Sequence, residues 1–260
     1  MLFLTSYGKS KATMKPYEEL DYRKTDLGEL ILRRRLILPL DNLEVYEVIL
    51  GEAFLMSSLF TEVEVALSNL GLAAAEAEFA GEKLDVVVGG LGLGYTAQAA
   101  LRHESVGSLY IVEYLEPVIE WHQNGLVPLG AEITDDPRTR YVLGDFFELA
   151  VAEIPTISLN GKDADQLFHA VLLDIDHSPD NLLHERNAAF YAPDGLRKFA
   201  EKLHPGGIFA LWSDDPPEAG FMESLNEVFA TSESHVVTFF NPLLERNSES
   251  TVYVARKHRG

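Results

Sequence analysis

Several short stretches carry residues whose types and spacing suit chemistry on a bound small molecule. In Val86-Val-Val-Gly-Gly-Leu-Gly-Leu-Gly94 an apolar run leads into glycines at 90, 92 and 94. Glycines there let backbone amides approach a ligand closely, and a helix N-terminus behind them favours polar groups. The spacing is G-x-G-x-G; the dinucleotide fingerprint G-x-G-x-x-G needs a glycine at 95, where this chain has Tyr95. A tight strand-to-helix turn without a ligand is the plain alternative. Glu113 follows Gly94 by nineteen residues, where a carboxylate can accept hydrogen bonds from both ribose hydroxyls of a nucleoside. Asp145, after Gly144, either holds an adenine amino group or serves as N-cap for a helix from Phe146 onward.

The stretch Ala170-Val-Leu-Leu-Asp-Ile-Asp-His-Ser-Pro179 is the most unusual. Strand alternation places Asp174 and Asp176 on the same side, where their repulsion calls for a cation or for protonation of one of them. A metal ion with His177 and His184 as further ligands would serve, but no recognised ligand spacing is present. A bound amine or sulfonium suits the pair better, and caps and loop hydrogen bonds are the structural alternative. In Ala210-Leu-Trp-Ser-Asp-Asp-Pro216, Trp212 can wall a pocket and Asp214 and Asp215 add negative charge; a polar loop is the bland reading.

These stretches need elements to position them. Residues 1–26 lack a clear period and read as a loose arm. Residues 27–60 read as a small β domain, with Gly51-Glu52 as a two-residue hairpin loop. Thr61-Glu-Val-Glu64 has the form of a capping box, and apolar residues then recur with helical spacing through Ala74. From there strands at 84–88, 109–112, 141–143, 170–173 and 208–212 alternate with helices, which implies a parallel sheet covered on both faces. The tail breaks the alternation, with strands at 235–240 and 251–255 as an antiparallel pair. In an open α/β sheet the ligand lies beyond the carboxyl ends of the strands, and every stretch described above falls there.

Composition narrows the function classes. The 260 residues include 21 Lys and Arg against 41 Asp and Glu and no cysteine. Disulfides, thiolate metal sites and cysteine nucleophiles are therefore excluded, and a reducing cytoplasm fits. No window approaches the roughly 18 apolar residues of a membrane span. Residues 1–40 carry eight basic and five acidic groups, a net +3, so with a total of −20 the other 220 residues carry −23. Nucleic-acid binding by that remainder is disfavoured, and a cationic partner is favoured.

The order of motifs resembles the class I S-adenosylmethionine-dependent methyltransferase fold and, within it, the spermidine synthase (polyamine aminopropyltransferase) family. The resemblance rests on Val87–Gly94, Glu113, Asp145, Asp174, Phe190-Tyr191 and Leu203-His-Pro-Gly-Gly-Ile-Phe-Ala210. It implies a Rossmann-like α/β domain over 61–260, with a mostly parallel seven-stranded sheet ending in an antiparallel pair and the small β domain in front. It implies decarboxylated S-adenosylmethionine, or S-adenosylmethionine, as co-substrate, without a metal. Gly90, Gly92, Gly94, Glu113, Tyr114, Asp145 and Phe146 would form its site. Asp174, with Asp176 and His177, would act on a cationic amine lodged near Trp212 and Asp214. A homodimer through the β domain is also implied.

The sequence departs from the family on both the donor and the acceptor side. Gly92 stands where the family has the Asp that holds the donor's amino group, Asp174-Ile-Asp-His-Ser-Pro replaces the family's Asp-Ser-Ser-Asp-Pro, and the family's Gln and Tyr-His-Glu have no counterpart in Met56–Leu67. The expected activity is aminopropyl transfer to an amine. Methyl transfer from S-adenosylmethionine and a non-catalytic nucleoside-binding module are the alternatives.

Overall fold

The computed structural model describes residues 15–152, 158–161 and 166–260, in two compact units, Met1–Leu55 and Met56–Gly260. The first unit is built on a four-stranded sheet in the order β1 (Tyr17–Thr25), β2 (Gly28–Ile37), β3 (Leu43–Leu50), β4 (Ala53–Ser57). The hairpin loop expected at Gly51-Glu52 joins β3 to β4, with Gly51 at φ 57°. Along β2, Leu30 and Leu32 are buried, and the basic triplet that follows obeys the same two-residue period. Arg33 and Arg35 both grip the buried carboxylate of Glu47, at 2.6 and 2.7 Å, while Arg34 reaches Glu18 and Glu44.

Residues 17–25, expected to belong to a loose arm, form β1, paired antiparallel with β2; the arm before residue 15 lies outside the described residues. The strand was hidden because Tyr17-Glu-Glu-Leu-Asp-Tyr-Arg-Lys-Thr25 is mostly charged and its register shifts between Glu19 and Asp21. Its charges meet other charges and not a core: Glu18 pairs with Arg34 across the sheet, and Asp21 with Arg23 along the strand.

The second unit carries a seven-stranded sheet of β5 (Leu84–Gly89), β6 (Val106–Glu113), β7 (Thr139–Leu143), β8 (Phe168–Leu173), β9 (Leu203–Ser213), β10 (Thr231–Asn241) and β11 (Arg246–Arg256). The spatial order is β10-β11-β9-β8-β5-β6-β7. β5 to β9 are mutually parallel, and β11 runs antiparallel to both β9 and β10. From β5 the chain moves outward through β6 and β7, then returns to β8 on the other side of β5. The order reverses between β5 and β8, so the ligand crevice belongs at the carboxyl ends of those two strands.

Eight α-helices are described: α1 (Glu62–Glu78), α2 (Tyr95–Leu101), α3 (Glu116–Gln123), α4 (Gly130–Asp135), α5 (Phe146–Val151), α6 (Ala188–Tyr191), α7 (Pro193–Ala200) and α8 (Ala219–Val228). Val86, Val87 and Val88 of β5 are all fully buried, as expected of a strand covered on both faces. On one face Val87, Val171, Phe209 and Tyr253 join Phe146, Phe190 and Phe199 in an aromatic-rich core. On the other lies α1, packed on β8, β9 and β11. Among the described residues no helix is long and apolar enough to cross a membrane.

Gly71 sets how closely α1 lies on the sheet. A Cβ there would stand 2.6 Å from Leu172 Cδ2 and 3.0 Å from the Cβ of Ala210. Gly71→Val should therefore lower the unfolding free energy by about 1–3 kcal/mol through overpacking, measured as a drop in the urea midpoint at unchanged m-value.

Candidate active site

The strand ends at the switch point converge through backbone contacts. Asp174 N–H donates to Gly89 O at 2.8 Å, and Gly90 N–H donates to Val112 O at 2.9 Å. Gly90 has φ 93°, a conformation that favours glycine, and a Cβ there would collide with the carbonyl oxygen of Asp174. Gly92 and Gly94 also have positive φ. Where Gly92 lacks a side chain the sulfur of Met56 takes the space, and Leu93 N–H donates to that sulfur at 3.0 Å.

Glu113, at the end of β6, is buried, and its two oxygens accept from Leu91 N–H (3.0 Å) and Leu115 N–H (2.8 Å). Burial raises its pKa, opposed by these backbone donors. The residue expected to hold a ribose thus also shapes the glycine turn, by fixing the amide of Leu91. Asp145 caps α5 through Oδ1, which accepts from Phe147 N–H at 2.9 Å. Its Oδ2 pairs with Arg186 Nη2 at 2.6 Å, and the Arg186 guanidinium carbon lies 5.8 Å from the ring centroid of Tyr114. Tyr114 and Asp145 are therefore neighbours through Arg186. The ring of Phe146, by contrast, is in the core against Phe147 and Phe190, 5.6 and 5.8 Å between centroids, and offers no face to a ligand. The first turn after the cap aims it inward.

Asp174 and Asp176 part company. Asp174 is half-buried and accepts from Thr96 Oγ1 at 2.6 Å; burial pushes its pKa up to about 6, against the pull of Thr96. Asp176 is fully buried and accepts from Leu183 N–H (2.7 Å), Asn187 Nδ2 (3.0 Å) and Tyr191 Oη (2.8 Å). The expectation that the two carboxylates face one another fails because β8 ends at Leu173, so alternation no longer governs residue 176. Asp176 does structural work on the segment 183–191. His177 packs beside Trp212, ring centroids 6.4 Å apart, and its carbonyl accepts from Asp214 N–H at 2.7 Å. Those three expected residues do meet. His184, considered above as a ligand for a metal, uses Nδ1 to accept from Arg186 N–H at 3.2 Å.

Two further residues border the site that the sequence patterns do not assign to it. Glu64 satisfies the capping-box pattern, yet Thr61 makes no side-chain cap. The Glu64 carboxyl instead lies within the field of Asp174 and Asp214, and burial, then Asp174, pushes its pKa up to about 8. The pattern that concealed it was also its signal, an acid one turn into a helix that packs on β8. His122 of α3 is fully buried beneath the glycine turn, its Nε2 3.0 Å from Gly92 O. A carbonyl only accepts, so Nε2 carries the proton and Nδ1 is a bare acceptor, buried without a hydrogen-bond partner among the described residues. Burial lowers its pKa to about 4, so the imidazole is neutral. Nothing in the sequence distinguishes it from an ordinary helix-face histidine.

No protein-family profile matches the sequence, and no curated protein matches it. Solved structures do. A spermidine synthase in complex with the transition-state analogue AdoDATO aligns with TM-score 0.68 over 93% of this chain and 74% of its own, at 15% identity. Spermidine synthase from Thermotoga maritima aligns with TM-score 0.64 over 92% and 72%, also at 15% identity. Human methyltransferase-like protein 13 in complex with SAH aligns with TM-score 0.53 over 75% and 82%, at 16% identity. The chain therefore has the Rossmann-like α/β fold shared by spermidine synthases and class I methyltransferases.

The two aspartates should separate in experiment. Asp176→Ala strands three donors and should cost about 3 kcal/mol or more of stability, whereas Asp174→Asn should leave the denaturation midpoint at or above that of the unaltered protein. Chemical denaturation of both variants checks this.

Proposed function

We propose that this chain is a spermidine synthase-like transferase that moves an aminopropyl group from decarboxylated S-adenosylmethionine to an amine. The observation that carries the reading is Asp174, set at the carboxyl end of β8 against Gly90 and bonded to Thr96, with the Glu64 carboxyl within its field. Among the described residues, the protein's own donors satisfy Glu113, Asp145 and Asp176, but supply the Asp174 carboxylate with the Thr96 hydroxyl alone and that of Asp214 with the Ser250 hydroxyl. An ionised Glu64 is repelled by Asp174 and, more weakly, by Asp214, and a cationic amine relieves that repulsion.

The donor would lie across Gly90–Gly94, its ribose toward Glu113. The acceptor nitrogen must be neutral to attack the methylene carbon bound to the sulfonium. As the C–N bond forms, the C–S bond breaks and its electron pair stays on sulfur, leaving methylthioadenosine. The proton shed by the amine passes to Asp174, whose pKa of about 6 leaves it ionised and able to accept near neutral pH. Trp212 and His177 would wall the acceptor. Much of the rate would come from holding the reactants in line.

Methyl transfer is the second reading, favoured by one observation: Met56 sulfur fills the space beside Gly92, so no carboxylate stands there to select a donor lacking its own carboxylate. Incubation with each donor and a panel of diamines, followed by mass spectrometry, decides between them. Methylthioadenosine is expected; S-adenosylhomocysteine would establish methylation, and neither product would reduce the chain to a binding module. Asp174→Asn should slow turnover by about 100-fold or more while nucleoside binding persists.

Glu64 adds a pH signature. Its ordinary pKa of 4.5 rises to about 8 on folding. Between those values the unfolded chain has released a proton that the folded chain keeps, so this group's contribution to stability falls as pH rises. Glu64→Gln removes the loss. The melting temperature of Glu64→Gln minus that of the unaltered protein should grow with pH across this window and level off above it. A saturating diamine should shrink the difference.

A further inference from the structure

The network around Asp176 fixes the segment that carries Arg186. Asn187 and Tyr191 donate to Asp176, and Arg186 sits in the short 3-10 turn Glu185–Asn187 between that anchor and His184. From this position the guanidinium does two things. It bonds Asp145 Oδ2 at 2.6 Å, taking the one oxygen of that buried carboxylate that is not occupied in capping α5, and it lies over the ring of Tyr114. A purine with an exocyclic amino group offers the same pair of features: a flat π surface for the tyrosine and an N–H for the carboxylate.

We infer that Arg186 is a specificity-determining plug that stands in for the nucleobase and must swing aside when an adenine nucleoside binds. The inference rests on the nucleoside-binding reading above. The side chain is 43% exposed, so it has solvent to swing into, whereas Asp145, at 8%, stays in place. A ligand that displaces it must be held elsewhere too, by the glycine turn and Glu113. Nucleosides with an extended 5′ substituent are therefore selected over adenine or adenosine.

Isothermal titration with methylthioadenosine tests this, because the probe carries no net charge and salt then acts on the protein's own ion pair. Arg186→Ala should bind roughly 3- to 20-fold more tightly than the unaltered protein, the combined worth of an ion pair and a cation–π contact. Arg186→Lys, which keeps the charge without the plane, should fall between. Raising sodium chloride to about 0.5 M should tighten binding to the unaltered protein, since the closed pair is screened, and leave Arg186→Ala unmoved. Arg186→Gln should repeat the result if Arg186→Ala folds poorly. Equal or weaker binding by Arg186→Ala and Arg186→Gln, with the unaltered protein binding, would overturn the plug alone. Absence of binding by the unaltered protein and every folded variant would overturn the nucleoside reading with it.

Discussion

The pairing of β5 with β8 places two chemically different ends side by side. One additional backbone hydrogen bond beyond the apolar part of that pairing, from Asp174 to Gly89, brings the Asp174 carbonyl against Gly90. The glycine is needed by the neighbouring strand before any ligand is considered. Once that contact is made, the rest follows. The turn through Gly94 starts α2, α2 presents Thr96 to Asp174, and α1, packed against α2, places Glu64 within the field of Asp174. His122 supports the turn from below through the carbonyl of Gly92.

Carboxylates at these strand ends differ in who supplies their hydrogen bonds. Glu113 takes backbone amides, Asp145 takes a helix N-terminus and a guanidinium, and Asp176 takes a backbone amide, an amide side chain and a phenol. Each is neutralised or saturated by the chain itself and serves to hold backbone in place. Glu64 and Asp174 are half-buried, where charge is costly to keep, and the Glu64 carboxyl also feels the exposed Asp214. The formal charge of −20 does not separate these groups; local donors do.

The α/β rhythm was legible because β5 and β8 carry the apolar runs Val86–Val88 and Ala170–Leu173, which tolerate burial on both faces. β1 was not, since its stabilising partners are arginines across the sheet and its alternation is broken at Glu19/Asp21. α4 was missed because, in barely a turn and a half, Ile133 is its one buried apolar side chain. At the site, glycines and strand-end acids announced themselves by type and spacing. The partition between Asp174 and Asp176 did not, for it depends on where β8 stops and on donors from residues 183–191. Glu64 and Phe146 sit in helix first turns, where local pattern describes the cap and tertiary packing decides where the side chain goes.

The order of the sheet's outer strands bears on how the chain can be made. β11 lies between β9 and β10, so β10 leaves the ribosome before it has any strand to pair with. Until residues 246–256 emerge, β9 presents a bare edge, and the aromatic core on that face lacks Tyr253. That edge of the sheet is therefore covered last, and an interrupted synthesis would expose a long unpaired strand edge of the kind that chaperones recognise.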